Sequence, residues 1–470
     1  MDYNELTKEK TWKYFGELSE IPRESGNEKA VSDYLVNFAK ERNLEVSQDD
    51  ALNVIIEKKA SEGYEDHSPI TLQAHMDMVC VKEDDSDHDF EKDPIKLLVD
   101  GEWLTADGTT LGADNGIGVA YILAILDEED LKHGPIQAII TTGEETSMVG
   151  ANALDGTDIN AKYLLNIDSE EEGALTIGCA GGLDLEITFE KEYEDAKGDF
   201  IKLDLRGFEG GHSGMEIDKA RINAINSLAR LLVDIDGVQI AEFNGGVKRN
   251  AIPSTAYAIV SVSDKKSAIE EINSRKEDIL NESKDTDPKG QISIEETSFD
   301  GKVLSQSLSK NIIDCIYTLP NGLYKKYKDE IITSSNLGIL EESEDEIRMS
   351  SMIRSQIDSA KFNRAAIATK IVKLYGGKAE IKSAYTGWQR EETKLIDIAN
   401  DIWKEQNGTD MEVATTHGGL ECGLFKGVMP DVEMISFGPE IQGAHSPAER
   451  VSIKSVENNY KFLKELIKRI

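Results

Sequence analysis

The sequence predicts an α/β protein in which one domain is split by an inserted α+β domain. Apolar, strand-like segments separated by helical ones repeatedly end in an imidazole or a carboxylate. From about residue 183 the pattern changes to alternating apolar and polar residues, as half-buried strands show. From about Trp388 the first style returns, so the early and late segments are expected to form one body. A chain of 470 residues is also too long for a single core. The expected boundaries are 1–182 together with 388–470 for the split domain, and 183–387 for the insertion.

In chain order, residues 4–20 and 27–42 have helical periodicity, and 54–56 and 69–72 read as short buried strands. His75 and Asp77 follow the second strand, two residues apart, so both side chains point to the same side. The end of such a strand is where open α/β sheets bind ligands. A metal-bound imidazole usually has its other nitrogen held by an acceptor such as Asp77. Residues 80–93 are rich in Asp and Glu and read as a solvated loop, with His88 on its surface. Residues 109–118 form a glycine-rich turn entering an apolar helix at 119–126, but the spacing fits neither the dinucleotide nor the Walker pattern. That turn is instead expected to aim Asp114 into the crevice at the sheet's edge. A strand at 136–141 ends in Thr142-Gly143-Glu144-Glu145, and one at 164–167 ends in Asp168. Parallel strands with helices between them gather such groups at one edge, where His and carboxylate sets hold divalent cations.

Within the insertion, strands are expected at 183–193 and 200–205, then Gly210-Gly211-His212-Ser213-Gly214 before a helix at 218–232. A strand at 251–262 follows Asn250, and residues 282–290 read as a surface connection. A strand at 347–352, a helix at 359–374 and a strand at 379–385 echo the earlier order. The loose match of 221–232 with 362–374 suggests a duplicated unit. The last part carries a helix at 394–405, a strand at 412–415, His417-Gly418-Gly419-Leu420-Glu421, a strand at 432–437, Gly443-Ala444-His445-Ser446-Pro447-Ala448-Glu449 and a terminal helix. His417 either reaches the crevice or packs its loop, and His67 and His133 are expected at the surface.

Lys and Arg number 52 against 89 Asp and Glu, a net charge of −37. Such a surface repels nucleic acid and anionic membranes, and neither is an expected partner. The polar start Met1-Asp2-Tyr3-Asn4-Glu5 has no secretory pattern, and no window has the apolar length to span a bilayer. Cys80, Cys179, Cys315 and Cys422 lie far apart, which fits a reducing, cytoplasmic setting and argues against a thiolate zinc site.

Together, His75-Met76-Asp77, Gly112-Ala113-Asp114-Asn115, Glu144-Glu145, Asn166-Ile167-Asp168, Gly211-His212-Ser213-Gly214 and Gly443-Ala444-His445-Ser446-Pro447 resemble the co-catalytic zinc exopeptidases. Within them they are most similar to the bacterial aminoacyl-histidine, or cytosol non-specific, dipeptidase branch. The resemblance implies a mixed-sheet catalytic domain with a lid-like insertion and two divalent ions, zinc first, with manganese or cobalt as alternatives. Asp114 would bridge the ions, His75 and Asp168 would complete one site, and Glu145 and His445 the other. Asp77 would orient His75. Two neighbouring glutamates cannot both reach one ion from an extended strand, and the resemblance makes Glu144 the general base acting on a metal-bridging water. His212 would donate to the substrate's carbonyl oxygen, in its own chain or across a homodimer. A dipeptidase must also hold a free carboxylate, for which Arg354 is the candidate, assisted by Asn250 and the backbone of Gly418 and Gly419. The implied activity is hydrolysis of Xaa-His dipeptides such as β-Ala-His, and of other unblocked dipeptides, by a monomer or homodimer. The alternatives are an N-acyl-amino-acid amidohydrolase of the same fold and a non-catalytic binding protein.

Overall fold

A computed structural model describes residues 3–470. The chain divides into two compact units, one of Met1–Gly178, Arg390–Thr415 and Leu420–Ile470, the other of Cys179–Gln389 with Thr416–Gly419. The first boundary falls at 178 rather than 182, because Gly181 and Gly182 pair with Ser355 and Arg354 in the second unit's sheet. The short Thr416–Gly419 segment also joins the second unit, where the Ala180 N–H donates to the Thr416 and Gly418 carbonyls.

The first unit is built on an eight-stranded mixed sheet. Its centre is four parallel strands in the order Ile136–Thr141, Ile70–His75, Tyr163–Asn166 and Glu433–Ser436. Every residue of the first three is buried. They read as continuous apolar runs because both faces of a parallel sheet are covered. One cover is the helix Ala113–Leu126, apolar on all sides, which packs on Ile70–His75 and beneath the helix Lys10–Ser19. The register sets His75 opposite Thr141, so those two strands end level. It sets Gln73 opposite Asn166, so the third ends two residues short and Asp168, two residues further on, comes beside His75. A separate four-stranded sheet joins Ile441–Gln442 and Arg450–Ser452 to the hairpin Leu97–Asp100 and Trp103–Ala106. His445 lies in the loop between its first two strands.

The second unit carries a nine-stranded antiparallel sheet. One half has the path Gln291–Thr297, Asp199–Arg206, Ala256–Val262, Gln239–Gly245; the other has Lys378–Ala384, Gly181–Glu190, Glu346–Ser355, Glu330–Glu342, and the ninth strand, Gly322–Tyr327, pairs with Glu330–Glu342 off this path. Each half, read from its edge to the seam, has chain order 4-1-3-2 with helices after its first and third strands. By position, Ala224–Leu232 therefore corresponds to Gln306–Thr318, and Lys265–Glu282 to Asp358–Leu374. The sequence match had instead set 221–232 against 362–374. That pairing compared the first helix of one half with the second helix of the other.

Several expected elements are shorter or broken. The helix at 4–20 is two, Tyr3–Leu6 and Lys10–Ser19. The helix at 218–232 begins only at Ala224, where Asn223 accepts the N–H groups of Ile225 and Asn226. The strand at 251–262 is interrupted around Pro253, a residue with no N–H to give a sheet. His133 is not at the surface: it is 3% exposed, its Nδ1 2.7 Å from the Gly134 carbonyl. No helix among the described residues is long and apolar enough to cross a membrane.

Candidate active site

Local structure first explains how the groups are aimed. His75 ends its strand, and its Nδ1 lies 3.2 Å from the Asp77 carbonyl and 3.4 Å from the Asp77 carboxylate. That leaves Nε2 facing outward. Asp77 does more than hold the ring: it accepts the N–H groups of Glu144 at 3.2 Å and Glu145 at 3.3 Å, and the Ser25 hydroxyl at 2.7 Å. The two glutamates open a short helix, Glu144–Ser147, instead of extending a strand. A carboxylate at a helix N-terminus is favoured there by the free N–H groups. Asp114 sits in the first turn of Ala113–Leu126, and the peptide bond after it is cis. The amide of Asn115 donates to the Asp168 carboxylate at 2.6 Å and to the Ile167 carbonyl at 2.6 Å.

The decisive geometry belongs to Asp114. Its Oδ1 lies 3.3 Å from His75 Nε2, which is also 3.3 Å from Asp168. Its Oδ2 lies 3.1 Å from His445 Nε2, which is in turn 3.0 Å from Glu145. One carboxylate thus presents one oxygen to each of two ligand sets. Donors about 2.0–2.1 Å from a tetrahedral ion are about 3.3–3.4 Å apart, so these spacings fit a cation in each set. His75 with Asp114 and Asp168, and Asp114 with Glu145 and His445, are candidate metal groups, and a third set overlaps them as His75, Glu144 and Glu145.

The electrostatics favour cations as well. Burial disfavours charge on His75, yet Asp168, Asp114 and Asp77 hold its pKa well above the ordinary value. Hydrogen bonds to Asp114 and Glu145 push His445 to about 11. Burial raises Asp168 to about 6, with Asp114 and Glu145 adding to it. Glu144 is raised well above its usual range by burial, then by Asp168, Glu145 and Glu421. Carboxylates outnumber imidazoles here, and protons hold the charge that divalent ions would neutralise.

In the second unit, His212 forms a two-residue bridge with Ala251, and its Nδ1 accepts the Met215 N–H at 3.0 Å. Its Nε2 therefore carries the proton of the neutral ring. Arg354 is 4% exposed; its guanidinium donates to the Tyr385 hydroxyl at 3.3 Å and its Nε has no partner. A Cβ on Gly214 would stand 2.8 Å from the His417 carbonyl, 3.0 Å from His212 Cε1 and 3.3 Å from Arg354 Nε. The fold thus brings His212, Arg354 and His417 around a position that only glycine fits. His417 is buried, and its Nε2 lies 2.8 Å from the Ser334 hydroxyl. Burial, and then the charge of Arg354, lower it to about 3. Asn250 is exposed, and its carbonyl accepts the Ser213 N–H at 2.9 Å. The Gly418 N–H is occupied by the Thr416 hydroxyl at 3.0 Å.

Sequence reasoning passed over four supporting residues. Arg23 and Glu449 are each 2% exposed and grip backbone around Asp114. Asn115 holds Asp168. Glu421, wholly buried, accepts from Gln73 at 2.5 Å and Thr141 at 2.7 Å, tying together two strands that end at the site. Burial raises Glu421 to about 8. Glu421 and Glu449 stand four residues after His417 and His445, and that spacing was their only local signal.

The sequence pattern described as Peptidase family M20/M25/M40 matches residues 71–469. The cytosol non-specific dipeptidase of Escherichia coli K12 is 37% identical over 481 residues, covering 100% of this chain and 99% of the relative. The crystal structure of an aminoacylhistidine dipeptidase from Vibrio alginolyticus is 36% identical with a TM-score of 0.88, over 98% of this chain and 96% of that one. Human carnosine dipeptidase 1 shares the fold at 14% identity and a TM-score of 0.52, over 99% and 97% of the two chains.

Proposed function

The chain belongs to peptidase family M20/M25/M40, and we propose that it is a two-cation dipeptidase acting on unblocked dipeptides, Xaa-His among them. The observation that carries this reading is Asp114, with one oxygen 3.3 Å from His75 and the other 3.1 Å from His445. His75, Asp114 and Asp168 would hold one divalent ion, and Asp114, Glu145 and His445 the other. Zinc suits this mixed nitrogen and oxygen set, with manganese and cobalt as alternatives. When bound, the pair supplies Lewis acidity at the substrate carbonyl and acidity to the attacking water.

The chain's own groups do the rest. Glu144 would take the proton of the attacking water and pass it to the leaving amine. Asp77 fixes the His75 ring and, through two N–H groups, the start of the helix that bears Glu144. In the second unit, His212 is assigned the carbonyl oxygen, using its Nε2–H as the negative charge develops. Arg354 is assigned the free carboxylate of the substrate. It is a buried cation that no carboxylate pairs with among the described residues, and its Nε is unused. Asn250 and the Gly418–Gly419 backbone are assigned supporting contacts. A cytoplasmic location is part of the proposal, supported by the name of the Escherichia coli relative and by the wide spacing of Cys80, Cys179, Cys315 and Cys422, which form no Cys-x-x-Cys pair.

The test is turnover of the metal-reconstituted protein on β-Ala-His, Ala-Ala and N-acetyl-alanine. Hydrolysis of the free dipeptides with little of the acetylated substrate is expected. The reverse preference would make it an amidohydrolase, and no turnover of any would leave a binding protein.

A further inference from the structure

The glycine-rich turn before Asp114 is an anion-binding nest already filled from within the chain. Four consecutive backbone N–H groups converge on the Glu449 carboxylate: Leu111 at 2.8 Å and Gly112 at 3.0 Å on Oε2, Ala113 at 2.8 Å and Asp114 at 3.3 Å on Oε1. Successive N–H groups so arranged form a concavity for an anion, and hydrogen bonds to a carboxylate are about twice as strong as neutral ones. The same turn is held on its carbonyl side. Arg23 donates to the Gly112 carbonyl at 2.6 Å, and to the carbonyls of Met76 at 3.0 Å and Asp77 at 3.2 Å. A Cβ on Gly112 would meet Arg23 Nη2 at 2.5 Å, so the clamp also requires a glycine there.

Glu449 follows His445 by four residues. His445 itself has φ 62°, a left-handed backbone that a side chain adopts only when its surroundings impose it. The surroundings here are a tight turn, with the Ser446 hydroxyl on the Gly443 carbonyl at 2.7 Å and the Glu449 N–H on the Ser446 carbonyl at 3.0 Å. The far end of that turn is fixed by the nest. His445 and Asp114 are 331 residues apart in sequence, and Glu449 ties the backbone of one to the backbone of the other.

We infer that Glu449 is a positioning residue that prebuilds the second cation site by locking the His445 loop onto the Asp114 loop. Its carboxylate takes backbone N–H groups at Asp114, its own N–H holds the Ser446 carbonyl beside His445, and it touches no ligand side chain, so it acts through backbone. Its loss should leave the His75 and Asp168 side of the site largely formed, because Arg23 and Asn115 still hold that side. The side completed by His445 should open. The inference rests on the two-cation reading above.

The test titrates Co2+ into the metal-stripped full-length protein, following heat and visible absorption, for the wild type and for Glu449→Gln and Glu449→Ala. His445→Ala and Asp168→Ala serve as references for loss of either side. The wild type should take two equivalents. Glu449→Gln should keep one near wild-type affinity and bind the other about 10- to 100-fold more weakly, with a spectrum like that of His445→Ala. Two equivalents at wild-type affinity in Glu449→Gln, even with a lowered melting temperature, would overturn the inference and leave Glu449 a structural staple. So would equal weakening of both equivalents. Should the alanine variant not fold, Glu449→Gln and Glu449→Asp discriminate between the same outcomes. A wild type that takes up only one equivalent would instead refute the two-cation reading itself.

Discussion

Replacing Glu144 by glutamine tests the chemistry most directly. The amide keeps the size and shape of the carboxyl, and the backbone N–H bond from residue 144 to Asp77, 3.2 Å long, does not depend on the side chain. The local fold should therefore survive. What is lost is a proton acceptor, and a positioned general acid or base contributes about 10²–10⁴ in rate. The expected fall in kcat is thus about 10²- to 10⁴-fold, or about 2.7–5.4 kcal/mol of barrier. KM should change little, because glutamine removes no contact assigned to the resting substrate. The assay is steady-state turnover of Ala-Ala at saturating metal, paired with the metal content of the purified variant. The metal count matters because His75, Glu144 and Glu145 also form a possible ligand set. A variant that keeps both ions and loses turnover supports the base. A kcat within tenfold of wild type, or a missing ion, would refute it, the second result making Glu144 a ligand.

Three further outcomes are expected. His212→Ala should lower kcat about 10²- to 10³-fold with both metals retained, the cost of one donor to a developing oxyanion; an unchanged kcat would leave the histidine a turn residue. Arg354→Ala should raise KM by about 10- to 150-fold, from about 1.5–3 kcal/mol for a hydrogen bond to a charged group. Carboxamide-capped dipeptides should lose as much on the wild type and nothing more on the variant, and an additional loss would place Arg354 elsewhere. His417 is held near pKa 3 by burial and then by Arg354. The unfolded ring binds a proton below about 6.5, so the unfolded state carries more protons between these values and stability falls with pH across that window. Urea unfolding at pH 7.5 and 5 should show about 2 kcal/mol more acid loss in the wild type than in His417→Asn. Parallel losses would mean that His417 takes up its proton in the folded protein.

The proposed ligands were legible because each stands at a strand or turn end, where short motifs such as His75-Met76-Asp77 and Asn166-Ile167-Asp168 keep their neighbours together. The supporting residues were not. Arg23 binds carbonyls, Glu449 binds N–H groups and Glu421 binds Gln73 across 348 residues. A bond to backbone, as Arg23 and Glu449 make, places no demand on the partner's side chain and leaves no matching residue to find. The side-chain partners of Glu421 lie 348 and 280 residues away from it in sequence. The helix Lys265–Glu282 went unread for a related reason. Only Ala268, Ile272 and Ile279 are buried in it, too few to mark an apolar stripe. The pairing of repeated helices misled because two amphipathic helices resemble each other whatever their place in a sheet.

By itself the sequence determined the α/β class, the interruption of one domain by another, and the residue types at the ends of the strands. These follow from hydrophobic periodicity and local chemistry, which act over a few residues. Only the tertiary structure decided that Asp114 turns one oxygen to His75 and the other to His445, that Glu449 fills the nest beside it, and that the insertion repeats one topology on either side of a seam. Those facts depend on strand register and on hydrogen bonds between segments hundreds of residues apart, which no local pattern encodes.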